Sequence, residues 1–295
     1  MRTGPLRVGR RDDLRAQALW YRGGGRLADG DPDGADDITQ AIALAVAETR
    51  LETRVRAYVN AAGSAYRAGR PHDAEEYVTT GLRLAADGEF AAGEYRLHLT
   101  SAAVSASQGD WDRAIAKLRQ LVTGPGQPGG MVLLARGMLA RLLARRGDPE
   151  ASEVLDQAMR DPVWIGDSYV AGPLAVARVE LAWLTGTAES LPPEVWQALD
   201  LAADSGHTAI QAELCGYLRR AGHQATAPAR APGPWAPALA GHWREAAAAW
   251  DALGERYEYA VEQAWSADDE RARARGVTIL SDLGATATLA RVRAR

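Results

Sequence analysis

The chain has 295 residues, a formal net charge of −4 and 47% hydrophobic residues, enough to fill a sizeable core. That charge leaves no electrostatic footprint for nucleic acid or an anionic membrane, and Cys215, the only cysteine, excludes an internal disulfide or a thiolate metal cluster within one chain. Only 6% of residues are aromatic, so buried surface must come from Ala, Leu and Val, small residues that favour helix and let helices approach closely.

Residues 1–11, MRTGPLRVGRR, are basic without a following apolar stretch and read as a flexible tail. No uncharged run reaches the roughly 18 residues of a membrane span. A soluble, cytoplasmic protein is expected.

From residue 12 to residue 223 apolar residues recur three and four positions apart, as in Ile38, Ile42 and Val46, or Val132, Ala135, Leu139 and Leu142. That is the helical period, and no alternating stretch suggests a strand. Helix-ending glycines fall at Gly30, Gly69, Gly109, Gly147 and Gly186, spaced 38 to 40 residues apart. Asp148 with Pro149 reads as an N-cap and first turn, and Ser266 with Asp269 as a capping box.

Two distant segments repeat one unit. Gly109, Trp111, Ala114, Ala116 and Leu121 match Gly241, Trp243, Ala246, Ala248 and Leu253 at identical spacing. Gly69 with Ala74, and Gly30 with Ala35, repeat the glycine and the small residue five positions on. Such an alanine sits where two helices of a hairpin cross and a larger side chain would push the axes apart. Trp111, Trp243 and Trp250 recur in register and are expected in the core.

The Ala/Pro-rich stretch 224–238 cannot be helical throughout and reads as an extended crossing segment. Residues 239–295 then hold the Trp243 unit, a helix from about Arg256, a capped helix from Asp268 to Leu283 and a short basic end.

The glycine at the turn, the alanine in the crossing and the large residues after it resemble the tetratricopeptide (TPR) motif, although the period here exceeds the ~34 residues of that family. The resemblance implies an all-α fold, a right-handed α-solenoid of TPR-like helical hairpins. The segments from Tyr217 to Gly222, Ala238 to Ala264 and Ile279 to Arg293 further resemble the C-terminal TPR array of large actinobacterial LuxR-type regulators. In that family an ATP-binding module precedes the array and a DNA-binding helix-turn-helix follows it. Neither module is expected within this chain. Lys117, the sole lysine, lies in Ala-Ile-Ala-Lys-Leu and not in a phosphate-binding loop.

Chemical motifs are scarce. Gly124-Pro-Gly126-Gln-Pro-Gly129 matches G-x-G-x-x-G by letter, but it follows a helix and its prolines lack the amide donors a phosphate requires. The histidines, His72, His98, His207, His223 and His242, show no metal-binding spacing and read as surface or capping residues. Cys215 reads as a small buried apolar residue. Adjacent carboxylates such as Asp36/Asp37 do not face each other across a cleft. No catalytic residue, cofactor or metal is expected.

What remains is a binding groove. If Ala62, Ala102 and Ala140 fill equivalent slots, the inner face carries Arg56, Asn60, Tyr66, Arg67, Arg96, Arg141 and Arg145, with no Asp or Glu among those slots. The TPR resemblance adds Trp20 to the concave face. It also sets Asn60 and Arg96 in slots like those of a carboxylate clamp, with Thr100 where a cation would be. The expectation is a non-catalytic interaction module, regulatory or scaffolding, whose basic groove takes an acidic peptide or a free carboxyl terminus, without direct nucleic-acid or membrane binding. The alternative is the sensing portion of a LuxR-type transcriptional regulator.

Overall fold

The computed structural model describes residues 6–28, 31, 33–47, 51–86, 90–124, 129–161, 166–266 and 268–294. Among them are sixteen α-helices, one 3₁₀ turn at Ala188–Ser190 and no strand. The chain divides into two compact units, 1–104 and 105–295, where the sequence suggests one array ending at residue 223.

The first unit contains α1 (Leu6–Ala28), α2 (Gly34–Val46), α3 (Leu51–Arg67), α4 (Pro71–Ala85) and the start of α5 (Ala91–Ser107). Residues 6–11, expected to be a flexible tail, belong to α1. Arg22 and Arg26 of α1 both reach Asp37 of α2, Arg22 through two hydrogen bonds of 2.5 and 2.8 Å. The hydrogen bonds from Arg22, reinforced by Arg26, hold the Asp37 carboxyl down to about 2. The turn at Ala68–Arg70 folds α4 back on α3, with Gly69 at φ 68°. There Val55, Val59 and Ala62 of α3 pack on Val78 and Ala85 of α4 and on Leu97 of α5. The i, i+4, i+7 spacing on α3 is what puts these three side chains on one stripe.

The second unit contains α6 (Trp111–Thr123), α7 (Gly130–Arg146), α8 (Glu150–Met159), α9 (Ser168–Thr185), α10 (Pro193–Asp204) and α11 (Thr208–Arg220). It continues through α12 (Trp235–Ala240), α13 (Trp243–Ala252), α14 (Arg256–Ala264), α15 (Glu270–Asp282) and α16 (Thr286–Arg293). Most helices pack on their neighbours in sequence, but α16 returns to α7 and α9. The Thr286 hydroxyl donates to the carbonyl of Arg146, and Trp111 stacks at 5.7 Å on Tyr257 of α14. This unit therefore closes on itself, whereas in an open solenoid each hairpin meets only its neighbours. The α14–α15 crossing depends on Gly276, where a Cβ would lie 2.4 Å from the backbone nitrogen of Ala264.

Gly69, Gly109, Gly147 and Gly186 all take positive φ at helix ends, as their spacing predicts; Gly30 and residues 125–128 lie outside the described residues. The crossing alanines Ala74, Ala114 and Ala246 are fully buried, and Ala62, Ala102 and Ala140 are at most 2% exposed. Ala35 is only half-buried.

Three expectations need correction. Asp269, not Ser266, caps α15: its side chain accepts from the backbone N–H of Ala272 at 2.9 Å, while the Ser266 hydroxyl donates to the Asp269 carbonyl. A carboxylate one residue before the helix reaches the orphan amide that Ser266 lies too far upstream to satisfy. Residues 224–238 are not extended throughout, because α12 starts at Trp235. That indole is buried over Gly216 and against Tyr217 and Trp250, which ties the segment down. Trp243 is half-buried and not core, although Trp111 in the matching unit and Trp250 are buried. Its indole N–H donates to Asp268 at 2.8 Å and Arg244 lies over its ring, so its polar edge faces a surface cluster.

Candidate functional site

The first unit presents a cavity of about 400 Å³ built by α1, α3 and α5. Because Val55 and Val59 turn into the core, their neighbours Arg56 and Asn60 lie one helical turn apart on the adjoining stripe of α3. Leu97 is buried likewise, and its neighbour Arg96 faces the cavity. Trp20 and Tyr21 enter from α1, with ring centroids 4.5 Å apart, and Phe90 from the residue before α5. The lining includes two arginines and no carboxylate. Arg56 is exposed and pairs with Glu52 on its own helix, whereas Arg96 has no ion-pair partner among the described residues. The Thr100 hydroxyl is tied to the Arg96 carbonyl at 3.0 Å, so the slot beside Arg96 offers no further cation.

Beside this cavity lies a smaller recess of about 120 Å³, lined mainly by Ile38, Ala41, Ile42, Ala45 and Ala57, together with Thr53 and Glu52. Gln17, Trp20, Arg56 and Asn60 line both spaces and so stand at the boundary between them. The indole nitrogen of Trp20 is buried and has no hydrogen-bond partner among the described residues.

Four of the residues singled out from the sequence, Trp20, Arg56, Asn60 and Arg96, thus meet at one site. Tyr66 and Arg67, further along α3, do not line it; Tyr66 packs on Ala65, Ala74 and Val104. Arg141 and Arg145 belong to the second unit and to a different environment.

There they enter a buried ionic network. Arg141 donates to Glu180 of α9 at 2.5 Å, to Glu213 of α11 at 2.9 Å and to the Tyr217 hydroxyl at 2.9 Å. Arg145 donates to Glu180 at 2.7 Å and lies 3.7 Å above the Tyr257 ring. Tyr217 donates to Glu258 of α14 at 2.5 Å, and Arg220 bridges Glu258 and Glu262 at 2.7 and 2.9 Å. Burial opposes ionisation of Glu258, but Arg220, Arg145 and the Tyr217 hydroxyl outweigh it and hold the carboxyl down to about 2. Glu180 is lowered in the same way, burial being overcome by Arg145 and Arg141. At Glu262 burial prevails over Arg220 and raises the carboxyl. This network joins four helices and leaves its arginines already neutralised, so the expectation of a basic inner face fails here. The carboxylates come from α9, α11 and α14, helices outside the repeats from which the slots were read.

Other groups offer little chemistry. The Ser168 hydroxyl lies 2.5 Å from Nδ1 of His207, but Ser168 is buried, and no carboxylate orients the ring's other nitrogen among the described residues. A nucleophile requires both access and an oriented base. Cys215 is buried, its thiol pushed up by burial and its sulfur donating to the Thr226 carbonyl. No group of three or more potential metal ligands occurs, and no helix is long and apolar enough to cross a membrane, among the described residues.

The signals that sequence reasoning lacked are Tyr21, Phe90 and the alanine-walled recess. Tyr21 directly follows Trp20 and is 69% exposed, but a single exposed aromatic in a helix has no periodic mark. No protein-family model matches the sequence, and no curated protein matches it.

Proposed function

We propose that the chain is a non-catalytic interaction module of TPR-like hairpins, and that the cavity between α1, α3 and α5 binds an acidic segment of a partner protein. The observation that carries this reading is the lining of the cavity: two arginines, an asparagine and three aromatic side chains, with no carboxylate. Guanidinium groups recognise carboxylates bidentately, and a desolvating aromatic wall strengthens such contacts. An exposed cavity of this composition favours an extended peptide over a compact metabolite. The buried network of the second unit acts as a structural clasp for the helices around it.

The test uses the full chain and two pools of random blocked peptides, one rich in Asp and Glu, the other in Lys and Arg. The wild type should bind the acidic pool, more weakly as salt rises, and the double variant Arg56→Glu/Arg96→Glu should shift towards the basic pool. No binding of either pool by the wild type, or an acidic preference unchanged by charge reversal, would overturn the reading.

A further inference from the structure

The recess beside the cavity has a composition that the arginines do not explain. Its walls are mainly Ile38, Ala41, Ile42, Ala45 and Ala57, with Thr53 and the exposed Glu52 also lining it, and it shares the Trp20 and Asn60 side chains with the larger cavity. The apolar walls give an ion nothing and Glu52 repels a carboxylate, so a bound acidic segment would leave this space to a different part of the ligand. An apolar protein cavity of about 150 Å³ holds one benzene-sized guest. At about 120 Å³ the recess suits one aliphatic side chain and is too small for an indole.

The boundary between the two spaces supplies the second half of the site. Trp20 Nε1 is buried without a hydrogen-bond partner among the described residues, and Asn60, which offers both a donor and an acceptor, lines both spaces. A peptide backbone has the matching groups, a carbonyl to accept from the indole and an amide to donate to the carboxamide. Arg56 lines both spaces, and in the larger cavity Arg96 adds a second cation.

Resting on the reading of the cavity as a peptide site, we infer that the first unit recognises a composite motif: an aliphatic residue of leucine or isoleucine size seated in the recess, directly flanked by Asp or Glu on the arginines. The Trp20 indole donates to the backbone carbonyl between them. Specificity then lies in the recess, and the charges set the attraction.

Calorimetry on the full chain tests this with the blocked pentapeptides Gly-Glu-X-Glu-Gly, where X is Leu, Ala or Trp, and with the Leu peptide carrying Gln in place of Glu. The Leu peptide should bind about tenfold or more tightly than the Ala peptide, the scale set by a few buried methyl and methylene groups. The Trp peptide should gain nothing over Ala. Ala57→Leu, which fills the recess from a half-buried position, should reduce the Leu-over-Ala preference below about threefold and keep the Glu-over-Gln preference. Thr53→Leu, on the same wall, does the same if Ala57→Leu fails to fold. Trp20→Phe should weaken the Leu peptide roughly fivefold, as expected for one hydrogen bond. Leu and Ala peptides within twofold of each other, both weakened by Arg96→Ala, would overturn the composite motif and leave the acidic-peptide reading standing. Tighter binding of the Trp peptide than the Leu peptide would also overturn the motif. Absence of binding by all the peptides would overturn that reading and the motif together.

Discussion

Arg67 and Arg145 each stand five residues after a matching buried alanine, Ala62 and Ala140, yet they live in different worlds. Arg67 is exposed at the end of α3, where it reaches Ser64 of its own helix at 3.4 Å. Arg145 is 9% exposed and bonded to Glu180, with a tyrosine ring beneath it. The repeat position fixes which way a side chain leaves its helix. What it meets depends on helices brought in from far along the chain, and in the second unit these carry carboxylates.

The sharpest way to break this contrast is to remove the hub of the network. Glu180→Ala would leave Arg141 and Arg145 buried without their main counter-charge, and breaking a buried pair from one side costs about 3–5 kcal/mol. Hydrogen exchange across α7, α9 and α11 should rise strongly, and urea should unfold these helices first. A loss below about 1 kcal/mol would mean that water reaches the network and that the two regions do not differ as described.

A second comparison uses one motif in two places. Trp111→Ala removes a side chain 1% exposed and should cost about 3–5 kcal/mol by cavity formation, whereas Trp243→Ala removes a half-buried ring and should cost about 1 kcal/mol, mainly its contacts with Asp268 and Arg244. Equal losses measured by denaturant unfolding would contradict the burial difference between the two tryptophans.

These residues also mark how far the sequence can be read. The glycine period located four helix ends, and the crossing alanines are nearly all buried, because both requirements are local: a left-handed turn and a close helix contact each depend on one position. Trp243 has the same local signature as Trp111 but lacks an equivalent cover, since Trp111 is closed over by Tyr257 from α14. No spacing within the motif encodes that contact. The same holds for the site. Trp20, Arg56, Asn60 and Arg96 could be assigned to one face by register, whereas the neutralisation of Arg141 and Arg145 depends on Glu180, Glu213 and Glu258, between 35 and 117 residues away. Tertiary closure is the part that periodicity does not carry.

Acidification offers a milder probe of the same difference. A carboxyl held low in the folded state stabilises fully above its ordinary value and loses that contribution as pH falls towards the folded one. For Glu258, held at about 2, the contribution is complete above about 4.5 and fades between there and 2. Its scale is of order 3 kcal/mol. Stability of the second unit should therefore fall through that window, and Glu258→Gln should be less stable at neutral pH and show a flatter acid limb. Parallel acid limbs in wild type and variant would show that Glu258 does not titrate with the network.

The smallest effect belongs to the counterpart of Arg145. Arg67 is exposed, outside the buried network, and its side-chain bond to Ser64 is long at 3.4 Å. Surface substitutions away from such features stay within about 0.5 kcal/mol. Arg67→Ala should accordingly leave the unfolding midpoint almost unchanged, while Arg145→Ala, at the equivalent slot, leaves Glu180 short of a partner and costs several kcal/mol on the scale expected for a broken buried pair. Arg96→Ala should match Arg67→Ala in stability, since Arg96 has no ion-pair partner among the described residues. It should differ only in binding, because Arg96 lines the cavity and Arg67 does not. A stability loss at Arg96 as large as that at Arg145 would mean that its charge is satisfied within the fold, and the cavity would then lose the free cation that draws an acidic ligand to it.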